Sequence, residues 1–374
     1  MLAVGIEPAH AEPVLRWFWS AVGATAAPTL AVLAARLGLD RRAALTAGAA
    51  LALSPSFAHT SHQVLTDAPA LALSIAALAS AASGHALRAG LILAAAIATR
   101  ETAALHVVSI GLLLGRRQAV VAVVACAAAL AVTVALYQPP GIVSWLGSMS
   151  RSIASHPWSA RDLLTSTAWV LAAGPMPVAL GLLSLVKGPV SARVRLVALP
   201  AAVATALLVL YPEGSFSPRY VLATAPLAFF LAAAPWLAVR PAIAVATLVG
   251  PLAVAAVLVR PAHETAARGA ALTTRVPELP QGAVVVPGHF CPQARLATGI
   301  ANRRDLRFVC PGWEWPADLA AELDTALQNG STVAVDLADG AWVGWREVGP
   351  RDTVRAWAAR HQGALVAGFT VVER

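Results

Sequence analysis

The sequence predicts an α-helical polytopic membrane bundle of about ten spans, followed by an extracytoplasmic α/β domain. Three observations carry this. Hydrophobic residues fill 58% of the 374 positions and charged residues 12%, about half the roughly 25% of an ordinary soluble domain. The charges are uneven: residues 1–260 hold 23 Asp, Glu, Lys and Arg, and residues 261–374 hold another 23 in less than half the length. Apolar runs of the length needed to cross a bilayer recur through the first part only. The expected division is a transmembrane domain over 1–260 and a soluble α/β domain over 261–374.

In order, the spans are expected at about 14–37, 42–58, 66–83, 86–99, 102–115, 118–137, 165–186, 192–211, 219–238 and 241–259. Those near the roughly 20 apolar residues of a full crossing are the plainest. The pair 86–99 and 102–115 is short and reads as a tight hairpin turning at Thr99-Arg100-Glu101-Thr102, or as half-helices. Alanine dominates several spans, which suits close packing through small residues within a bundle. Cys126, inside one such run, reads as a small buried hydrophobe.

The Lys/Arg bias sets the orientation. Arg36, Arg41, Arg42, Arg88, Arg116, Arg117, Lys187, Arg193, Arg195 and Arg240 fall in alternate connections, against six basic residues in the longer opposite ones. The first set is expected in the cytoplasm. The N-terminus, the loops 138–164 and 212–218, and the C-terminal domain then lie outside a plasma (inner) membrane. Trp17, Trp19, Trp145, Trp158 and Trp169 suit an aromatic belt at that outer interface. The start MLAVGIEPAHAEP lacks the basic and apolar regions of a signal peptide. An outside N-terminus therefore points to one more span upstream of Met1, or to a short polar segment that translocates unaided. The net charge of +8 is no nucleic-acid signal, because the basic residues sit in ones to threes between apolar runs and form no concentrated face.

The tail alternates strands and helices, which favours a parallel wound sheet. Strands are expected at Ala283–Val286, Leu306–Val309, Thr332–Asp336 and Ala364–Val372. Helices are expected near 292–300, from Pro316 to Gln328 with Asn329-Gly330 as the stop, and from Arg351 to Gln362. Cys291 and Cys310 each follow a strand. If those strands are parallel neighbours, both thiols reach one edge, and a Cys291–Cys310 disulfide is open to them outside the cytoplasm. Trp313, Trp315, Trp342 and Trp345 offer faces for a glycan acceptor, or simply pack the small domain.

Ionisable groups at a membrane are expensive and so are functional candidates. Three clusters share the expected outer side. In Ser54 to Pro69, Asp67 heads a helix, where the dipole favours its charge; a plain capping role for Thr66 or Asp67 is the alternative. His59 and His62 are candidates to join Asp67 around a divalent metal ion, the one cofactor the sequence suggests. Arg100-Glu101 reads either as a self-paired turn or as an Arg aimed at a phosphate and held by its neighbouring carboxylate. In Ser217-Pro218-Arg219-Tyr220, Arg219 opposes the dipole of the helix it precedes, so a bound anion or interface anchoring must favour it. Glycine-rich phosphate loops, a Ser-His-Asp arrangement and a cysteine zinc motif are absent from the sequence.

The stretch Arg41 to Glu101, with LSPSF, LTDAPALAL and AGLILAAAIATRE, and the later SPRYVLATAPLAFFLA resemble the GT-C class of membrane glycosyltransferases. The nearest likeness is to the protein O-mannosyltransferase and aminoarabinose-transferase-like families, over roughly residues 14–260. The resemblance implies inverting transfer of a sugar from a polyprenyl-phosphate donor to a glycan, lipid or protein acceptor at the outer face. It gives Asp67 a catalytic role and assigns Arg100, Arg219 and Tyr220 to the lipid phosphate, with Glu101, His59 and His62 in support. One departure matters. The family's principal carboxylate lies in a long first outer loop after a first span, and only about 13 residues precede the first apolar run here. The resemblance implies either that span and loop upstream of Met1 or a member without the usual base, which is commonly worth about 10²–10⁴-fold in rate. The competing readings are a non-catalytic membrane scaffold and a lipid or solute transporter. A transporter is expected to carry internal repeats and midplane polar groups, and neither is evident in the sequence.

Overall fold

The computed structural model describes residues 17–54, 57, 67–137, 174–188, 190–210, 222–239, 274–288, 302, 303, 305–309, 318–338 and 348–373, with isolated positions between these stretches. The chain divides into two compact units, one within Leu15–Val259 and one within Arg260–Arg374. The described residues are mostly helical, with a small five-stranded sheet.

The first unit is a set of apolar helices: α1 (Trp17–Arg36), α2 (Arg41–Ala52), α3 (Asp67–Ala82), α4 (Ala86–Thr99), α5 (Val107–Leu114) and α6 (Arg116–Tyr137). Further along come α7 (Pro175–Lys187), α8 (Ala192–Leu210) and α9 (Leu231–Val239). A 3₁₀ segment, Glu101–His106, joins α4 to α5, and a π turn, Pro226–Phe230, leads into α9. Among the described residues, Trp17–Arg36, Arg116–Ala135 and Ala192–Leu210 are long and apolar enough to cross a membrane. At 1.5 Å per residue, the 14 residues of α4 reach only about 21 Å, short of the roughly 30 Å hydrocarbon core.

Local chemistry sets several boundaries. Asp40 caps α2, its Oδ1 accepting the Ala43 N–H at 2.9 Å, a bond typically worth about 1 kcal/mol. Gly174, at φ +154°, and Pro175 start α7, and the helical positions Thr167, Val170 and Leu171 precede that break inside the expected span 165–186. The expected span 42–58 is helical to Ala52 in the continuous stretch. The expected span 241–259 lies outside the described residues. Pro226 has no N–H to give the preceding turn, and the widened π turn begins there.

Helix α4 packs chiefly on α3 and α6, backbone to backbone. A Cβ added to Gly90 would lie 2.2 Å from the Ala122 carbonyl oxygen of α6. Gly181 of α7 also sits against backbone, with 2.7 Å from such a Cβ to the Phe229 carbonyl oxygen. These approaches are the small-residue packing expected of alanine- and glycine-rich helices. On α6, Ala122 and the free Cys126 are buried, while Val120, Val121, Val123 and Val124 are exposed along the other side.

The second unit carries strands β1 (Val284–Val286), β2 (Arg307–Phe308), β3 (Val333–Val335), β4 (Ala364–Val366) and β5 (Phe369–Val372), in spatial order β2-β1-β3-β5-β4. Strand β1 pairs in parallel with β2 and β3, whereas β5 pairs antiparallel with β3 and β4. The sheet is therefore mixed, and the single last strand expected over Ala364–Val372 is a hairpin. Its turn residues Ala367 (φ 51°) and Gly368 (φ 78°) both take the left-handed conformation that tight two-residue hairpins require. Helices α10 (Leu319–Gln328) and α11 (Val348–His361) accompany it. Asp318 caps α10 through Oδ1 and the Ala321 N–H at 2.9 Å. The fully buried Trp357 of α11 donates its indole N–H to Asp324 of α10 at 2.7 Å.

Two arginines fasten the segments around this sheet. Arg275 donates to the carbonyls of Ala367 and Gly368 at 2.6 and 2.7 Å, pairs with Asp336 at 3.3 Å, and lies 4.7 Å over the Phe369 ring. Arg303 donates to the carbonyls of Pro277, Leu279 and Pro280 and to both oxygens of Asp305. Asp305 also accepts the Gly282 N–H at 2.9 Å. The Arg303 hydrogen bonds, then that of Gly282, hold the Asp305 carboxyl well below the usual carboxylate range. A depressed carboxyl stabilises the fold fully above its ordinary value near 3.8, and that stabilisation fades as pH falls through the lower folded value. Amide exchange at Gly282, corrected for its intrinsic pH dependence, is expected to speed up as pH falls below about 4. Asp305→Asn should show the faster exchange already at neutral pH.

Candidate functional site

The site is built by two antiparallel neighbours. Helix α3 begins at Asp67, and α4 ends at Thr99 after the short Ser83-Gly84-His85 turn. The helices have 16 and 14 residues, so the start of one and the end of the other come to the same level. Arg100 breaks the helix in an extended conformation (φ −157°, ψ 124°). Its Nε stands 3.2 Å from Asp67 Oδ1, with side-chain exposures of 14% and 4%. Glu101 Oε1 lies 3.6 Å from the same Nε and is 43% exposed. The cluster is thus a buried acid–base pair with a second carboxylate at its open side.

Dipoles reinforce the arrangement. Asp67 sits in the first turn of α3 and Arg100 directly follows α4, each at the helix end that favours its charge. The other end of α3 is held by Arg193, whose Nη2 donates to the Ala82 carbonyl at 2.7 Å. This arginine, which the sequence offers as a topology signal, also serves as a helix cap.

Asp67 and Arg100, which the sequence puts in separate clusters, therefore meet, and Glu101 sides with Arg100. His59, His62, Arg219 and Tyr220 lie outside the described residues. Among the described residues no group of three or more His, Cys, Asp or Glu could hold a metal ion. In the second unit, β1 and β2 are parallel neighbours and Cys291 is disulfide-bonded. With Cys126 free, Cys310 is the remaining cysteine of the three, and it lies outside the described residues.

Chemically, a guanidinium held at the end of an apolar helix by a buried carboxylate keeps its directional donors in a fixed place. Such a group suits a phosphate or carboxylate. No protein family, curated protein or solved structure matches this chain, so the arrangement rests on its own geometry.

Proposed function

We propose that the chain is a multi-spanning membrane glycosyltransferase of GT-C type, with about ten crossings. It moves a sugar from a polyprenyl-phosphate donor to a glycan, lipid or protein acceptor at the outer face of the plasma (inner) membrane. The observation that carries this reading is the Asp67–Arg100 pair, 3.2 Å apart and largely buried. The resemblance assigns these same two residues to the carboxylate and the phosphate-binding base, and they lie 33 positions apart in the sequence.

The acceptor oxygen attacks the anomeric carbon as the bond from that carbon to the phosphate oxygen breaks. The acceptor loses a proton, and the polyprenyl phosphate leaves with the bonding pair. Arg100, with Arg219 and Tyr220, balances the charge that develops on the phosphate, and preorganised donors of this kind lower a barrier effectively. Asp67, with one oxygen engaged by Arg100, is better placed to hold that guanidinium than to take the acceptor's proton. The acceptor's proton passes to a carboxylate acting as general base.

The disulfide at Cys291 supports an extracytoplasmic second unit, because such bonds persist in oxidising compartments. Non-reducing peptide mapping of the protein from its membrane is expected to join Cys291 to Cys310. A free thiol at Cys291 would count against that orientation.

The second reading, a non-catalytic scaffold, is favoured by one observation: the single positive charge of Arg100 is already met by two carboxylates, Asp67 and Glu101, as in a structural staple. The assay that separates the two is sugar transfer from a polyprenyl-phosphate donor by the full chain in liposomes, with Asp67, Arg100 and Arg219 each replaced by Ala. Strong loss in these variants supports the transferase, and wild-type rates in all three remove the site assignment.

A further inference from the structure

Directly after Arg100 and Glu101, the 3₁₀ segment ends on His106, which is 1% exposed. Its Nε2 lies 3.0 Å from the carbonyl oxygen of Ala223, 117 positions away in the chain. Ala223 follows Arg219-Tyr220 by three residues from Tyr220 and precedes the π turn at Pro226. The next residue is tied as well: Thr224, fully buried, lies with its Oγ1 2.8 Å from Oγ1 of Thr205 on α8. Thr205 already donates its own hydroxyl proton to the Ala201 carbonyl at 2.8 Å, so Thr224 is the donor to Thr205. Two adjacent residues, 223 and 224, are thus fixed by polar bonds to two different elements.

An irregular backbone at this point needs such ties. Residues 223 and 224 form a turn between the helical Leu222 and Ala225, and a buried carbonyl without a partner is costly in an apolar bundle. A hydrophobic residue at 106 would fill the space but leave the Ala223 carbonyl without that bond. The choice of histidine in an otherwise apolar run therefore serves the link itself.

We propose that His106 is a positioning residue: its bond to Ala223 fixes the Arg100-Glu101 segment against the turn at Ala223-Thr224. This rests on the transferase reading for its consequence, namely that Arg100 keeps its place against the donor phosphate. It does not rest on that reading for the link. A loosened Arg100 segment weakens the hold on the donor phosphate before it alters the chemistry at the anomeric carbon, so the effect falls on KM more than on kcat.

The test uses the full chain in lipid nanodiscs with a polyprenyl-phosphate hexose, comparing wild type, His106→Phe, His106→Gln and Thr205→Val. Phe keeps the bulk without the donor, and Gln keeps an N–H able to reach the carbonyl. His106→Phe is expected to raise KM about tenfold with kcat nearly unchanged, as loss of one buried hydrogen bond implies, and His106→Gln should restore most of it. Hydrogen exchange at residues 222–225 should rise in the Phe variant and not in the Gln variant. Thr205→Val, which removes the neighbouring tie, should shift KM in the same direction and serves if His106→Phe fails to fold. Wild-type KM and wild-type exchange in His106→Phe would overturn the proposal. If wild type itself transfers nothing, the transferase reading fails, and the exchange comparison alone decides the link.

Discussion

Replacing Arg100 with Ala is expected to lower sugar transfer by about 10²- to 10³-fold, the cost usual for removing a donor that stabilises developing charge. The same change has a structural cost. Asp67 is 4% exposed in its side chain, and stripping a buried charge of its partner typically costs about 3–5 kcal/mol. Activity must therefore be read per folded molecule, and the informative comparison is a double-mutant cycle with Asp67→Asn and Arg100→Gln. If the pair is a staple, the double variant recovers both folding and transfer relative to either single variant. If Arg100 holds the phosphate, the double variant recovers folding but not transfer. Size-exclusion profiles and transfer rates on the same four proteins check both arms.

A second stability effect is expected at Gly90. A Cβ there would stand 2.2 Å from the Ala122 carbonyl oxygen, well inside any van der Waals contact. Because the obstacle is backbone and not a movable side-chain end, α4 and α6 must separate for even the smallest substitution. Overpacking ordinarily costs about 1–3 kcal/mol, and Gly90→Val should exceed Gly90→Ala because a branched side chain widens the gap further. Helix α4 also delivers Arg100, so the damage reaches the Asp67–Arg100 contact. Melting curves in detergent should fall in the order wild type, Gly90→Ala, Gly90→Val. Unchanged melting in Gly90→Ala would contradict the close approach.

Much of this was legible in the sequence, for identifiable reasons. Charge density marks the change near Arg260, and the two compact units divide there. Strands β1 and β3 stand out as valine-rich runs, and β2 as the short Leu306-Arg-Phe-Val309 run, between turn signals. The hairpin of β4 and β5 did not, because Ala367-Gly368 lacks the Asn-Gly or Asp-Gly signature that announces such a turn. That both Asp67 and Arg100 face one side followed from alternation of the spans, whereas their contact did not. It depends on α3 and α4 having nearly equal length between a short turn and the Arg100 break. His106 was overlooked because it sits singly in an apolar run. The rule that ionisable groups in such runs are costly and so retained for a reason is the signal that finds it. The continuous part of α2 ends at Ala52, short of the expected 58, because the apolar run goes on past the residue where that helix stops.

The most direct measurement is binding of a polyprenyl phosphate, the leaving group common to every acceptor, to the full chain in nanodiscs. Wild type is compared with Arg100→Ala and Arg100→Lys. The account predicts saturable binding by wild type, at least about tenfold weaker binding by Arg100→Ala, and an intermediate value for Arg100→Lys, which keeps charge but loses the forked donor geometry. Equal affinity in all three proteins, or none in wild type, would contradict it.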